Sequence, residues 1–125
     1  MATIAAVVDA AFQENAIKVT WETLVAANLD GAAILENWMD YSDRSIQVLG
    51  TFNGATVTIQ GSNDDGTTWA TLNDAFGTAL TFTTAGVKQV TEVTSRLRPL
   101  VSSAGASTDL DVIAICRRPR SGREG

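Results

Sequence analysis

The sequence predicts an all-β domain, an antiparallel β-sandwich of jelly-roll-like type with an N-terminal arm. Short segments alternate apolar and polar side chains, as strands with one buried face do. Turn signals rich in Gly, Asn and Asp separate these segments at regular intervals, which is typical of sandwiches. Thr is abundant while Pro and Lys are scarce, a composition that favours strands over helices.

The 125 residues suffice for one ordinary domain, which we divide into an arm (1–16), a sandwich (17–118) and a flexible basic tail (119–125). Apolar residues make up 45% of the chain and charged residues 18%, as in globular proteins. The sequence contains neither an apolar run long enough for a membrane helix nor a secretory signal, so no membrane partner is expected. The single cysteine, Cys116, excludes an internal disulfide framework and fits folding in a reducing cytoplasm.

Charge is unevenly distributed along the chain. Residues 1–116 carry 13 acidic and 5 basic side chains, whereas the last nine residues, RRPRSGREG, carry four Arg and one Glu. An acidic body repels nucleic acid, so no nucleic-acid partner is expected. The Arg-rich end could contact a phosphate or an acidic neighbour; the alternative is a solvated, disordered tail.

Residues 17–24 and 44–52 alternate in polarity and are predicted strands. Asn53-Gly54 tolerates the positive φ values of a two-residue type I′ turn, which predicts a hairpin between 44–52 and the following strand, 55–62. The later predicted strands are 67–72, which begins within SNDDGTTW, then 78–83, 87–93, 98–101 and 109–116.

Three segments carry more specific expectations. Pro99 lacks an N–H group, so we expect it at a strand start or on an edge strand. Residues 109–116 are apolar on both faces at their centre, which suits a central strand covered on both sides. The stretch AAVVDAAF, within the first sixteen residues, fits either one or two helical turns or an extended arm.

The stretch SNDDGTTW, residues 62–69, matches the Ser-x-Asp-x-Gly-x-Thr-Trp pattern of the Asp box of sialidase propellers. The Asp carboxylate can accept backbone N–H groups within the turn, and the Gly adopts a backbone angle that other residues resist. The two hydroxyls add hydrogen bonds across the hairpin, and the Trp ring is expected to anchor the turn in the core. These roles are structural; the residues are Ser62, Asp64, Gly66, Thr68 and Trp69.

Enzymatic alternatives have little support in the sequence. The chain is too short for a propeller and has no His for acid–base catalysis or metal binding. Asp64 and Asp65 are adjacent on a turn, whereas a glycosidase needs two carboxylates that flank a cleft. Asp74 could join them in a calcium site, but the spacing matches no EF-hand. We therefore expect no catalytic residue, metal or cofactor.

Candidate partner contacts are apolar or aromatic side chains outside the predicted strands. Trp38 and Tyr41 lie in an acidic, irregular stretch, ENWMDYSD, where they either cap one end of the sandwich or serve as anchors for a protein or a sugar. The arm is poor in charge and could bury apolar area on a neighbouring subunit. Its candidate contacts are Ile4, Val7, Val8 and Phe12.

From residue 17 onward the chain resembles the head decoration, or cement, proteins of tailed phages. The densest part of the resemblance is DRSIQVLGTFNGATVTIQGSNDDGTTWATL, residues 43–72. Before it stand Lys18-Val19-Thr20-Trp21 and Asp30-Gly31. After it come LTFTTAG, Arg98-Pro99 and a closing strand that ends in Arg117-Arg118. Family members tend to have a single Asp before the box glycine, whereas this chain has Asp64-Asp65.

The resemblance implies a non-enzymatic β-sandwich that binds the major capsid protein on the outside of the virion, commonly as a homotrimer, and reinforces the shell. A second hypothesis is a tail-associated or carbohydrate-binding sandwich whose Trp38 and Tyr41 contact a host glycan. A small hydrolase is the third. Sheet architecture alone does not separate these classes, because function resides in sites rather than folds.

Overall fold

The computed structural model describes residues 3–4, 6–25, 30–31 and 40–118. These residues form eleven strands and no helix, so none of them forms a helix that could cross a membrane. The strands are β1 (Thr3–Ile4), β2 (Ala6–Gln13), β3 (Ala16–Val25), β4 (Asp30–Gly31), β5 (Asp43–Thr51), β6 (Thr56–Ser62), β7 (Ala70–Thr71), β8 (Thr81–Phe82), β9 (Gly86–Val90), β10 (Arg96–Ser102) and β11 (Asp109–Arg117).

The strands build two sheets, which confirms the predicted all-β sandwich. The first sheet has the order β1-β4-β10-β6, with β7 and β8 both paired to β6; the second has the order β2-β3-β11-β5-β9. Pairing is antiparallel except between the two short strands β1 and β4. The jelly-roll-like connectivity remains a prediction.

The core lies between the sheets and follows from alternation along each strand. On β5, Ile46 and Val48 are fully buried while the residues between and after them face outward. On β11, every second residue from Leu110 to Cys116 is fully buried. Trp21 of β3 is the largest fully buried side chain. Burying a side chain of this size contributes several kcal/mol to stability, of the order of 3–5 kcal/mol by truncation.

The segment 1–16, predicted as an arm, contains a strand of the second sheet. Strand β2 pairs antiparallel with β3 from Ala6↔Trp21 to Asp9↔Lys18 and again at Gln13↔Ala16. The alternation explains this placement, because Ala6 and Val8 pack against the core while Val7 faces outward. Residues 6–13 are therefore an edge strand of the second sheet, which agrees with the extended alternative and not with helical turns. The division of the chain into an arm and a sandwich remains a prediction. The predicted tail, 119–125, lies outside the described residues.

The hairpin predicted at Asn53-Gly54 is wrong in its pairing, although the turn itself forms. Both residues have positive φ, 46° and 85°, and the N–H of Ala55 donates to the carbonyl oxygen of Phe52 at 2.9 Å. The flanking strands then enter opposite sheets, β5 beside β11 and β6 beside β10. Each of these two strands has an apolar face, and each buries that face in the core from the sheet to which it belongs.

Pro99 lies in the middle of β10, not at a strand start or on an edge, so that prediction is also wrong. Its partner across the ladder is Ile59, whose N–H and carbonyl group both bond toward the other side, to Leu80 and Leu72. The Pro99–Ile59 pair is therefore a non-hydrogen-bonded pair of the antiparallel ladder. A missing N–H at this position removes no hydrogen bond between β10 and β6.

Strand β11 lies between β3 and β5, which confirms its predicted central position. On its second apolar face, Ile113 and Ile115 point away from the core, and with respect to the described residues they remain partly exposed. The sequence predicted cover on both sides. The outer cover of this sheet is therefore missing from the described part of the chain.

Candidate functional site

The Asp-box turn joins β6 to β7, which form the predicted hairpin through Gln60↔Thr71 and Gly61↔Ala70. The hydroxyl of Ser62 donates to Oδ1 of Asp64 at 2.7 Å, and the backbone N–H of Thr68 donates to the same oxygen at 2.8 Å. Ser62 Oγ also accepts the backbone N–H of Gly66 at 3.0 Å. Both side chains therefore bond groups inside the turn, as predicted for Asp64, while the Ser62 hydroxyl does not reach across the hairpin.

The backbone of the turn uses two consecutive left-handed residues, Asp65 with φ 61° and Gly66 with φ 84°. Asp tolerates this region better than most non-Gly residues. The second aspartate of the sequence thus has a conformational role at the tip. Its side chain is exposed.

Hydrogen bonding keeps the Asp64 carboxylate ionised. The N–H of Thr68, followed by the hydroxyl of Ser62, lowers the pKa of Asp64 from 3.8 to about 2. Hydrogen bonds to the charged form stabilise it. A carboxyl group with this pKa holds no proton at neutral pH, so it fits the role of a fixed acceptor better than that of a general acid.

Trp69 lies at the surface, not in the core where the sequence placed it. Its side chain is partly exposed, and the guanidinium carbon of Arg98 lies 4.2 Å from the centre of its ring. Arg98 is held in place because its Nε donates to the side-chain oxygen of Gln60 at 2.9 Å. The ring therefore secures the turn to β10 and β6 from outside, through a cation–π contact.

A second locked turn, residues 73–79, was missed by sequence reasoning. Oδ1 of the nearly buried Asp74 accepts the N–H groups of Phe76 at 2.9 Å and Thr78 at 3.0 Å. The hydroxyl of Thr91 anchors the turn by donating to the carbonyl oxygen of Asp74 at 2.6 Å. The phenyl ring of Phe76, at the tip, is 92% exposed. In the sequence, Asp74 is followed by Gly77 and Thr78, as the Asp of the Asp box is followed by Gly and Thr. This similarity could have predicted the turn.

An open cleft of about 760 Å³ separates the Asp-box turn from the segment 92–94. Leu72 and Val93 supply apolar lining, and Asp64 and Glu92 supply carboxylates. The Glu92 carboxylate is hydrogen-bonded through both oxygens, which accept the backbone and side-chain N–H groups of Asn73 at 2.7 and 2.6 Å. These bonds, the backbone one first, lower the pKa of Glu92. Both carboxylates thus hold turns in place.

Two of the carboxylates considered for a calcium site, Asp64 and Asp74, do not share a hydrogen-bond partner. Asp64 and Asp74 each bond backbone N–H groups of their own turn. Among the described residues, no group of three or more His, Cys, Asp and Glu side chains is arranged to hold a metal ion.

The six candidate partner contacts separate into three groups. Val7 and Phe12 are exposed, at 65% and 37%. Ile4, Val8 and Tyr41 pack partly against the core, and the Tyr41 ring lies 5.1 Å below the Arg118 guanidinium. Trp38 lies outside the described residues. Of the predicted contacts that the structure describes, Val7 and Phe12 are therefore the most accessible.

Arg44 is a buried cation that sequence reasoning overlooked. It is 1% exposed, and it donates to the carbonyl oxygens of Tyr41 at 2.9 Å and Thr94 at 3.1 Å. Burial lowers the pKa of Arg44. Arg44 lies two residues before Ile46 on β5, and alternation along that strand would have predicted its burial.

Cys116 is also fully buried, and burial raises the pKa of its thiol to about 11, as for an inert thiol.

Comparison of the chain with protein-family models gives no match, and comparisons with curated proteins and with solved structures give none either.

Proposed function

We propose that this protein is a non-enzymatic virion protein of a tailed phage that decorates the outside of the capsid and stabilises it. It folds in the host cytoplasm and then binds the major capsid protein, as a homotrimer. This proposal follows the resemblance of residues 17–118 to head decoration proteins, and the two-sheet sandwich is the fold which that resemblance implies.

One structural observation supports a binding role over a catalytic one. The carboxylates of the two locked turns bond backbone N–H groups, whereas a large aromatic side chain, Phe76, is held almost fully in solvent. Aromatic side chains on preordered elements are frequent binding anchors, because little conformational entropy is lost when they bind. Phe76 is therefore our first candidate for contact with the capsid, together with Phe12 on β2.

Copy number per virion tests this proposal against its main alternative. A capsid decoration protein is present in hundreds of copies, whereas a tail protein that binds a receptor is present in a handful. Quantitative mass spectrometry of purified particles measures the ratio of this chain to the major capsid protein. A ratio near that of a tail protein would contradict the proposal.

The alternative, a tail-associated or carbohydrate-binding module, is supported by the cleft beside the Asp-box turn. That cleft combines apolar lining with amide, hydroxyl and carboxylate groups, which suits a sugar. A glycan array with the purified protein tests it. Saturable binding to one glycan that is lost in Val93→Asp, a substitution in the cleft lining, would favour the alternative.

A further inference from the structure

The outward surface of the first sheet carries an arginine that is stacked on a tryptophan ring. The guanidinium carbon of Arg98, on β10, lies 4.2 Å from the centre of the Trp69 ring, and Nε of Arg98 donates to the side-chain oxygen of Gln60 at 2.9 Å. Two contacts therefore fix the orientation of the guanidinium, although Arg98 is partly exposed. We call Arg98, Trp69 and Gln60 the arginine platform.

The platform retains hydrogen-bond donors for a partner. A guanidinium carries N–H groups on all of its nitrogens and has no acceptor. In the described part of the chain, Nε is the nitrogen of Arg98 that makes a hydrogen bond, and Arg98 takes part in no ion pair. The edge formed by Nη1 and Nη2 is therefore available, and such an edge binds a carboxylate through two parallel hydrogen bonds.

Three acidic residues belong to the elements around the platform. Oδ1 of Asp64 is bonded inside the Asp-box turn, and Asp65 is exposed at the tip of that turn. The register of β4 places Asp30 beside Leu100, which is one outward-facing position beyond Arg98 on β10. Arg98 is thus a cation that the described residues orient but do not neutralise.

The rest of the body directs an acidic partner to this place. Residues 1–116 carry 13 acidic and 5 basic side chains, so most of the surface repels a carboxylate. Of the other basic side chains in this range, Arg44 is buried and the rest contact groups within the chain. Lys18 lies over the Phe12 ring, Lys88 donates to the carbonyl oxygen of Thr81, and Arg96 has a contact of its own. Arg98 is therefore the favoured point of contact for an anionic group.

We propose that the arginine platform binds an Asp or Glu carboxylate of a partner protein. This inference rests on the proposed function, in which that partner is the major capsid protein. Nη1 and Nη2 of Arg98 donate to the two carboxylate oxygens, in the planar geometry that suits both groups. Because Trp69 and Gln60 already hold the guanidinium, its side chain loses little further conformational entropy on binding.

The shape of the surface favours a protein over a small anion. The platform lies on the outward surface of a sheet, and none of its three residues lines the cleft beside the Asp-box turn. Small ligands are bound mostly in concave sites. Trp and Arg on an open surface are instead the side chains that dominate contacts between proteins. A carboxylate presented by a protein is therefore the better match.

The platform and Phe76 can contact the same partner. The ladder registers place Arg98 beside Gln60 and Gln60 beside Thr71, in one row across β10, β6 and β7. The turn that carries Phe76 begins at Asn73, shortly after Thr71. One partner surface that covers this row therefore reaches the turn as well, so the platform adds a charged contact to the aromatic one.

The direct test is titration of the purified protein with a hexaglutamate peptide, blocked at both ends, in a calorimeter at low ionic strength. We expect saturable binding that Arg98→Gln weakens about tenfold, because hydrogen bonds to a charged group are lost. Arg98→Lys should also weaken it, since Lys keeps the charge but lacks the planar fork. The control Arg117→Gln removes the same charge from the second sheet and should bind as the wild type does. Circular dichroism checks the folding of each variant.

Absence of hexaglutamate binding, or equal losses in Arg98→Gln and Arg117→Gln, would overturn the platform as a carboxylate site. Tighter binding of glucuronate or inorganic phosphate than of hexaglutamate would overturn the assignment to a protein partner.

A second titration uses undecorated phage heads, to which Arg98→Gln should bind about tenfold more weakly than the wild type. Wild-type binding by Arg98→Gln would overturn the capsid protein as the source of the carboxylate. If the wild type binds no heads but still binds hexaglutamate through Arg98, the capsid proposal fails and the platform stands.

Discussion

The hydroxyl of Ser62 donates a 2.7 Å hydrogen bond to Oδ1 of Asp64, so the first and third residues of SNDDGTTW are bonded to each other. The same two side chains also hold the backbone N–H groups of Gly66 and Thr68. This pair explains why an Asp-box sequence occurs in a chain that lacks a propeller. Its residues specify a tight β6–β7 turn, and a turn of this kind has the same use in any sheet protein.

We expect Asp64→Ala to lower the melting temperature, because it leaves the Thr68 N–H and the Ser62 hydroxyl without their acceptor. The control is Asp65→Asn, which also removes one negative charge at the tip. Asn tolerates the left-handed conformation of residue 65, so this variant should melt with the wild type. Equal losses in both variants, measured by circular dichroism, would show that the Asp64 hydrogen bonds are not the cause.

Stability should fall with acid in a way that depends on Asp64. Its pKa is lowered from 3.8 to about 2 in the folded protein, so the unfolded chain takes up a proton first as the pH decreases. The contribution of Asp64 is therefore complete above pH 3.8 and is lost between pH 3.8 and about 2. We expect the melting temperature of the wild type to fall more steeply in this range than that of Asp64→Asn. Parallel curves would contradict the assignment.

Trp69 and Trp21 should differ strongly in their contributions to stability. Trp21 is fully buried, so Trp21→Ala should reduce the free energy of unfolding by about 3–5 kcal/mol. Trp69 is half-buried and makes a cation–π contact with Arg98, so Trp69→Ala should cost only about 1–2 kcal/mol. Urea denaturation measures both values. An equal loss for the two variants would place the Trp69 ring in the core after all.

Gly61 and Gly86 are both strand glycines, but only Gly61 is tightly enclosed. A Cβ atom on Gly61 would lie 2.5 Å from Oγ1 of Thr94 and 2.8 Å from the side chain of Leu72. Gly61→Ala should therefore cost about 1–3 kcal/mol through overpacking. A Cβ atom on Gly86 would meet open space, so Gly86→Ala should change stability by less than about 0.5 kcal/mol. The reverse order in urea denaturation would contradict the packing around β6.

Sequence reasoning succeeded where the information is local. Alternation predicts β3, β5 and β11, and the acceptor role of Asp64 follows from the chemistry of Asx turns. The type I′ turn at Asn53-Gly54 is predicted for the same reason. The pairing of the two flanking strands is not predicted by local sequence. The choice between a hairpin and a crossover to the other sheet depends on β10 and β11, which lie later in the chain.

The open alternatives for the N-terminal segment and the error at Trp69 have a similar origin. The run AAVVDAAF has neither a turn signal nor a regular alternation of polarity that would distinguish an arm from an edge strand. Its position follows from pairing with β3, which the segment alone does not reveal. Trp69 was assigned to the core because large aromatic rings are usually buried. Its actual position depends on Arg98, which lies on a strand almost thirty residues away in sequence. Such contacts cannot be read from a single segment.

The most direct measurement of the central claim is binding of the purified protein to undecorated heads of the phage that the proposal requires to encode it. Bound and free protein are separated by sedimentation and quantified, and the heads are imaged by electron cryomicroscopy. We predict saturable binding at hundreds of copies per head, symmetric density on the outer capsid surface, and weaker binding by Phe76→Ser than by the control Ala75→Ser on the same turn. Absence of binding to heads, or density confined to the tail, would contradict the claim.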